Sequence, residues 1–132
     1  MPALANYKDS LIVVTGGRSR EKFYCEPIKS VEIYCVESDS WSIAPSLNQA
    51  RERHSSCCLA DYVYVAGDGM RGEEDDERKG IIYVERLKVR SIESLGAAWE
   101  VLSIQNFSFF KPRFELLMAP VSETELVFLG GV

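Results

Sequence analysis

The 132 residues are 46% hydrophobic, 11% aromatic and 27% charged, a composition typical of a folded domain that excludes disorder and low complexity. The net charge of -5 produces a surface field that repels phosphate backbones and anionic lipids, so we expect neither nucleic-acid nor membrane binding. A chain of this length is sufficient for one domain with a hydrophobic core.

Targeting signals are the next feature of the chain. The longest aliphatic run, Leu11 to Val14, is far too short to span a bilayer, and the N-terminus lacks the basic start, apolar stretch and cleavage site of a signal peptide. We therefore expect a cytoplasmic protein, in which the Asn106-Phe107-Ser108 sequon has no role. In that compartment the four cysteines are expected to be reduced thiols: Cys25, Cys35, Cys57 and Cys58.

The residue types give little support to metal binding. His54 is the one histidine and no C-x-x-C pair occurs, so a zinc site would have to draw on scattered cysteines. Cys57 and Cys58 are adjacent, and on a strand they would point to opposite faces, one inward as a small hydrophobe and the other outward. We predict no metal site, no cofactor and no catalytic residue.

Short runs rich in Val, Ile, Tyr, Phe and Trp, bounded by Gly, Pro, Asp and Ser, recur along the chain and predict strands. In chain order they are LIVVTGG (Leu11–Gly17), VEIYCVE (Val31–Glu37), WSIAP from Trp41, RERHSSCCLA (Arg51–Ala60), YVYVAGD (Tyr62–Asp68), GIIYVERLKV (Gly80–Val89), AWEVLSI around Trp99, PRFELLMAP (Pro112–Pro120) and LVFLGGV (Leu126–Val132). Glycine halts three of these strands, at Gly16, Gly67 and Gly130. Their spacing predicts a repeating unit of four strands joined as an antiparallel meander, as in a propeller blade.

The ordered set of residues in this unit resembles the kelch-repeat family. The resemblance rests on the Gly16-Gly17 doublet, on Val31-x-x-Tyr34, on Trp41 after a short turn, and on Arg51-x-x-His54 leading into Gly67. It covers essentially the whole chain. It implies an all-β fold of kelch-type propeller blades, each a four-stranded antiparallel meander, with approximate boundaries at 1–47, 48–106 and a partial blade at 107–132.

The later units depart from the family pattern. In the second unit Gly67-Asp68 replaces the glycine doublet, Leu87 stands where the pattern has tyrosine, and Trp99 comes late, which predicts a longer turn between the third and fourth strands. The third unit stops at the Gly130-Gly131 doublet. About two and a half blades cannot close a ring that typically needs four to eight. We therefore expect an incomplete propeller: a fragment of a longer one, or a chain that self-associates or docks into a larger complex.

Strand chemistry suggests structural roles for the motif residues. Glycine at the end of an inner strand permits positive φ and close approach of neighbouring backbone. Tyr34 and Trp41 lie on either side of a short turn, where a cross-strand aromatic pair is expected to bury a large area. Arg51 or Arg53, together with His54, is expected to make buried hydrogen bonds between blades.

The stretch YVYVAGDGMRG places Gly67, Gly69 and Gly72 at the G-x-G-x-x-G spacing of a dinucleotide loop. That site needs a helix beginning at the glycines, whereas EEDDERKG follows, which is acidic and has no apolar stripe. The same run lacks the alternating ligands of an EF-hand, which leaves a weak adventitious cation site as the alternative. We interpret the segment as a solvated loop and the glycine spacing as coincidence.

In such a meander the second-to-third loops and the inter-blade links lie at the same end of the sheets. These segments are 18–30 and 68–80 for the loops, and 44–50 and 105–111 for the links. Exposed loops on a rigid scaffold are where binding residues concentrate. The candidate partner-binding residues are Arg18, Arg20, Phe23, Tyr24, Asp68, Met70 and Arg71.

The sequence therefore predicts a non-catalytic scaffold that binds a protein partner through loops on one rim. One alternative is a structural subunit that completes a larger assembly or a self-associated propeller. Another is a propeller enzyme of the sugar-oxidase or isomerase type, because some kelch-like propellers are enzymes. A single histidine and the lack of a Ser-His-Asp or metal-ligand cluster argue against that class.

Overall fold

The computed structural model describes residues 1–21, 25–67, 82–104 and 117–129, and within these ranges the chain forms three antiparallel sheets. Within each sheet, the strands that are adjacent in sequence pair with one another, so both four-stranded sheets are up-and-down meanders. No helical segment in the described ranges has the length and apolar character to cross a membrane. The predicted all-β class, with four-stranded antiparallel sheets as in an open, incomplete propeller, is confirmed.

The first sheet contains β1 (Ala3–Tyr7), β2 (Leu11–Thr15), β3 (Val31–Cys35) and β4 (Ser40–Ala44), in that spatial order. Alternate residues of β2 are buried, as expected for a strand with one covered face. The turn from β1 to β2 places Lys8 and Asp9 at φ 48° and 55°. The Asp9 amide donates to the Asn6 side chain at 3.0 Å, which supports this left-handed conformation.

The second sheet repeats this arrangement with β5 (His54–Leu59), β6 (Tyr62–Gly67), β7 (Ile82–Lys88) and β8 (Glu100–Ile104). A 3₁₀ turn at Val89–Ser91 and a further turn through Gly96 separate β7 from β8. This connection is longer than the one between β3 and β4, as the late position of Trp99 predicts.

A hairpin of β9 (Leu117–Pro120) and β10 (Leu126–Leu129) follows the second sheet. The Met118 amide donates to Ser55 Oγ at 2.9 Å, and this bond ties β9 to β5. The hairpin therefore lies against the second sheet, on the side away from the first.

The main hydrophobic core lies between the first and second sheets. The first sheet contributes Val13, Val31 and Ile33, and the second contributes Val63 and Val65, all of them at most 4% exposed. Removing this much branched apolar surface from water is the dominant favourable term in joining the two sheets.

A second cluster lies between the other face of the second sheet and the hairpin. It contains Ala66, Val84 and Met118, with Phe128 packed against them. Described residues therefore cover both faces of the second sheet and one face of the first.

The glycines that end the inner strands have the conformations expected from their positions. Gly16, Gly17 and Gly67 have φ of 59°, 109° and 108°. At Gly16 a side chain would also collide with the Arg51 carbonyl and would lie 2.6 Å from His54 Cε1. Close approach of the next segment thus requires glycine here, in addition to the positive φ.

Gly16→Ala is expected to destabilise the protein more than Gly96→Ala, although both glycines have positive φ. Left-handed backbone costs an alanine about 1–2 kcal/mol at either site. At Gly16 the collision with Arg51 and His54 adds about 1–3 kcal/mol, while Gly96 has open space around it. Urea unfolding of the two variants measures the difference, and equal losses would show that the close approach carries no cost.

Candidate interaction rim

Arg51 lies in the segment between the first and second sheets and is completely buried. Its Nε donates to Glu85 Oε2 at 2.8 Å, and Glu85 on β7 is also completely buried. Burial lowers the pKa of Arg51 from its usual value, and the hydrogen bond and charge of Glu85 oppose that shift. Arg51 Nη1 donates to the Gly67 carbonyl at 2.8 Å, so the same side chain reaches the end of β6.

The backbone of Arg51 joins the loop after β2 to the link between the sheets. The Gly17 amide donates to the Arg51 carbonyl at 2.8 Å, and the Arg51 amide donates to the Ile28 carbonyl at 3.1 Å. The Leu47 amide donates to the Lys29 carbonyl at 2.9 Å and fixes the same two segments nearer β4. The described parts of loop 16–30 and link 45–53 therefore form one hydrogen-bonded rim at this end of the sheets.

The link also bonds to the second sheet through residues other than Arg51. The Asn48 amide donates to Glu85 Oε1 at 2.6 Å, and Trp99 Nε1 donates to the Pro45 carbonyl at 2.8 Å. Leu47, 2% exposed, inserts its side chain into the core between the sheets. The link is therefore fixed by polar and apolar contacts along its length.

His54 begins β5 beneath the glycine doublet and is 9% exposed. Its Nε2 lies 2.9 Å from Thr15 Oγ1, and its buried Nδ1 has no hydrogen-bond partner among the described residues. Burial, followed by the positive charge of Arg51, lowers the pKa of His54 to about 4. The ring is therefore neutral at physiological pH and connects β5 to β2.

The partner-binding candidates divide between described and undescribed residues. Arg18 pairs with Glu52 across the rim, with Nη2 donating to Oε1 at 2.8 Å, and Arg20 is exposed on the same loop. Five candidates lie outside the described residues: Phe23, Tyr24, Asp68, Met70 and Arg71. Gly69 and Gly72 of the dinucleotide-like spacing, and the acidic run at 73–77, lie outside them as well. Gly130 and Gly131 also lie outside them.

Tyr34 and Trp41 form the predicted pair, with ring centroids 5.2 Å apart and planes tilted by 49°. The expected burial does not follow, because Trp41 is 62% exposed. Both residues lie on the face of the first sheet that no described residue covers. Trp99, by contrast, is 4% exposed.

The adjacent cysteines also differ from expectation. Cys58 packs against the core between the sheets, and Cys57 packs against the cluster beneath the hairpin, so neither faces outward. Burial raises the pKa of Cys57 to about 11 and that of Cys58 to about 12. The prediction of one outward cysteine is wrong because the second sheet has neighbours on both faces.

Two further features bear on chemistry at the rim. Among the described residues, no group of His, Cys, Asp and Glu side chains could hold a metal ion. Sequence reasoning also missed Glu85 and Asn48, which supply the polar contacts of Arg51 and of the link. A glutamate in the strand YVERL gives no signal that distinguishes a buried ion pair from an exposed face.

Arg51→Met is expected to lower the free energy of unfolding by about 3–5 kcal/mol, because it leaves Glu85 buried without its cation. The double variant Arg51→Met/Glu85→Met should recover most of that loss, since apolar side chains of similar volume replace the pair. Chemical denaturation of the two single variants and the double variant measures the coupling. Additive effects would mean that the two side chains do not depend on each other.

His54 should make the protein less stable in mild acid. The unfolded chain binds its proton near pH 6.5 and the folded one near pH 4, so its contribution is complete above pH 6.5 and declines as the pH falls towards 4. The full loss is about 3 kcal/mol. Denaturation midpoints of wild type and His54→Gln between pH 4 and 8 should converge in acid, and parallel curves would contradict the buried neutral ring.

Two comparisons with known proteins bear on these observations. The family model described as the Kelch motif matches residues 3–48, which include all four strands of the first sheet. A 65-residue stretch is 34% identical to the Influenza virus NS1A-binding protein homolog of Xenopus laevis, and it covers 49% of this chain and 9% of that protein. This chain therefore matches a small part of that relative's length, and both matches support a protein-interaction module in general terms. The predicted kelch resemblance is confirmed for residues 3–48, which carry a kelch motif, and the two four-stranded antiparallel sheets have the arrangement expected of kelch blades.

Proposed function

We propose that the chain is a non-catalytic scaffold that binds a protein partner through the rim formed by loop 16–30 and link 45–53. The observation that supports this most directly is the bonding around Arg51, whose backbone holds the loop to the link through hydrogen bonds of 2.8 and 3.1 Å and whose side chain binds Glu85 and the Gly67 carbonyl of the second sheet. A loop that is held in place loses little conformational entropy when it binds. On the same proposal, residues 1–47, 48–106 and 107–132 are successive blades.

The rim presents groups that suit protein recognition. Arg18 and Arg20 lie on the outside of the loop, and Glu52, beside Arg18, is held in its ionised form by a hydrogen bond that lowers its pKa. Arginines are enriched among the residues that dominate binding energy at protein interfaces. The second loop departs from Gly67, whose carbonyl Arg51 binds, so both candidate loops begin beside the same side chain.

A catalytic role is disfavoured by the position of His54. The ring is nearly buried beneath Gly16, and its nearest polar neighbour is the Thr15 hydroxyl. A general base must reach a substrate proton within hydrogen-bonding distance, and this ring faces the protein interior. We therefore propose that the chain acts by binding. A cytoplasmic location is a separate part of the proposal.

The test is quantitative capture of binding proteins by the double variant Arg18→Ser/Arg20→Ser. Removing arginines from a binding surface is expected to weaken capture by about tenfold or more, the cost of losing one dominant contact. Bound proteins are quantified by mass spectrometry against the unmodified chain.

The matched control is Lys8→Ser/Arg90→Ser, which removes two exposed cations from the opposite end of the sheets. Both side chains lie near Asp61, at 3.4 and 3.9 Å, beside the turn between β5 and β6. The control removes the same net charge, so non-specific electrostatic capture should fall equally in both variants. Equal loss in the two, or no loss in either, would overturn binding through the rim.

A further inference from the structure

Strand β4 forms one edge of the first sheet. It pairs with β3 on one side, and among the described residues no strand pairs with its other side. Its first four residues, 40–43, are all exposed. β1, at the opposite edge of the sheet, is the strand that lies beside β5, so β4 lies on the outside of the molecule.

The backbone groups at this edge follow from the hydrogen bonding of the neighbouring strands. The Gly16 amide donates to the Ser30 carbonyl, in register with the β2–β3 ladder. Bonded pairs alternate along an antiparallel ladder, so the even-numbered residues of β3 face β2 and the odd-numbered ones face β4. Those odd-numbered residues are paired with the even-numbered residues of β4. The N–H and C=O groups of Trp41 and Ile43 therefore point to the free edge.

This edge lacks the features that keep a free strand from pairing. β4 contains no charged residue and no proline, and Trp41 and Ile43 are 62% and 88% exposed. The matching edge of the second sheet is different, because β8 carries Glu100 and the Trp99 carbonyl already accepts from Asn48 Nδ2 at 2.7 Å. Of the outermost strands of the two four-stranded sheets, β4 is the one that can accept a further strand.

We propose that β4 is a dimerisation edge, at which two copies of the chain pair antiparallel about Ser42 and join their first sheets into one. Trp41 of each copy then exchanges both of its outward backbone bonds with Ile43 of the other copy. Ser42 lies opposite Ser42 of the other copy, in a non-hydrogen-bonded pair on the two-fold axis. Because the contact uses a sheet edge, it differs from closure of a propeller ring through sheet faces, and it does not rest on rim binding.

Self-complementarity favours a second copy over an extended segment of another protein. In this register the side chains of Trp41 and Ile43 from opposite copies become cross-strand neighbours, and aromatic residues pair favourably with β-branched ones. The same register satisfies every outward backbone group of these two residues. One strand thus supplies both halves of the contact.

The charges beside β4 agree with antiparallel self-pairing. The acidic turn before the strand carries Glu37 and Asp39, which would lie side by side in a parallel pair. In the antiparallel register Asp39 lies opposite Pro45 of the other copy, and Glu37 lies opposite Leu47, whose amide binds the Lys29 carbonyl. Each acidic end therefore meets the segment that carries a lysine. Pro45 has no N–H, so the ladder ends there and the contact is one strand long.

Light scattering over about a hundredfold range of concentration tests for the dimer. A contact one strand long is small for a stable interface, so the mean mass should rise from one chain to two as concentration increases. Ile43→Pro should raise the dissociation constant about tenfold or more, because it removes an N–H from the free edge while the bonds to β3 are kept.

Val101→Pro is the matched control. The same alternation of bonded pairs directs the Val101 N–H to the free edge of β8, so this variant makes an identical backbone change at the other edge. It should leave the dimer unchanged. Equal dissociation of the two proline variants would overturn pairing through β4.

Cysteine trapping measures the register. In a Cys25→Ser/Cys35→Ser background, Ser42→Cys brings two thiols together on the two-fold axis, at a Cα separation that suits a disulfide. Glutathione disulfide oxidises the two thiols to one disulfide and is itself reduced to two glutathione thiols. Ser40→Cys is the matched control, since it lies opposite Ala44 of the other copy and its two thiols are about 14 Å apart along the strands. It should crosslink about tenfold more slowly or less.

Leu4→Ser separates the edge from the face of the first sheet that no described residue covers. Leu4 is 63% exposed on that face but lies on β1, at the far side of the sheet. The dimer should persist in this variant, and its loss would assign association to the face and overturn the edge. Where Ile43→Pro lowers the urea midpoint, the ratio of the two crosslinking rates decides instead.

The remaining outcomes are equally clear. Crosslinking of Ser40→Cys as fast as that of Ser42→Cys would overturn the register. A dimer that survives Ile43→Pro would overturn pairing through β4. A chain that stays monomeric throughout the range would leave the edge to a strand of another protein and overturn the second copy.

Discussion

The contact on which the rest of the structure depends is the buried ion pair of Arg51 and Glu85. Both side chains are completely inaccessible to solvent, and the arginine also binds the Gly67 carbonyl. Desolvating two charges is costly, and losing either partner of a buried pair leaves the other charge uncompensated. The pair of Arg51 and Glu85 therefore fixes the position of the link against the second sheet, since a shifted link would leave both charges buried and unpaired.

This constraint connects packing to the candidate function. The link can lie over the second sheet because Gly16 has no side chain and the Arg51 carbonyl approaches it directly. The same approach lets the Gly17 amide bond to Arg51, which holds the start of loop 16–30. A rigid rim is thus a consequence of how one blade is joined to the next. The described loop residues, Arg18 and Arg20 among them, project from a frame that these hydrogen bonds hold in place.

The sequence predicted the strands after β1 and their order, because most are runs of β-branched and aromatic residues bounded by Gly, Pro, Asp or Ser. It did not predict β1, since ALANY (Ala3–Tyr7) has no such run. The long connection before Trp99 followed from spacing alone. Glu85 could not be predicted, because its role depends on an arginine far away in sequence, and a polar residue on a strand usually indicates a solvent face. The prediction for Cys57 was wrong for the same reason, since the burial of this side chain depends on a hairpin later in the chain.

The two tryptophans show why a repeat determines positions but not environments. Trp41 and Trp99 occupy matching places in consecutive blades, yet one is 62% exposed and the other 4%. Their local sequences cannot account for this difference, since Trp41 lies at the start of β4 and Trp99 directly precedes the corresponding strand β8. What differs is the neighbour: a link with a proline carbonyl, an asparagine amide and an arginine covers Trp99 and Glu85. Burial in such a fold is therefore a property of pairs of sheets: the link that covers Trp99 and Glu85 has no counterpart over Trp41 among the described residues.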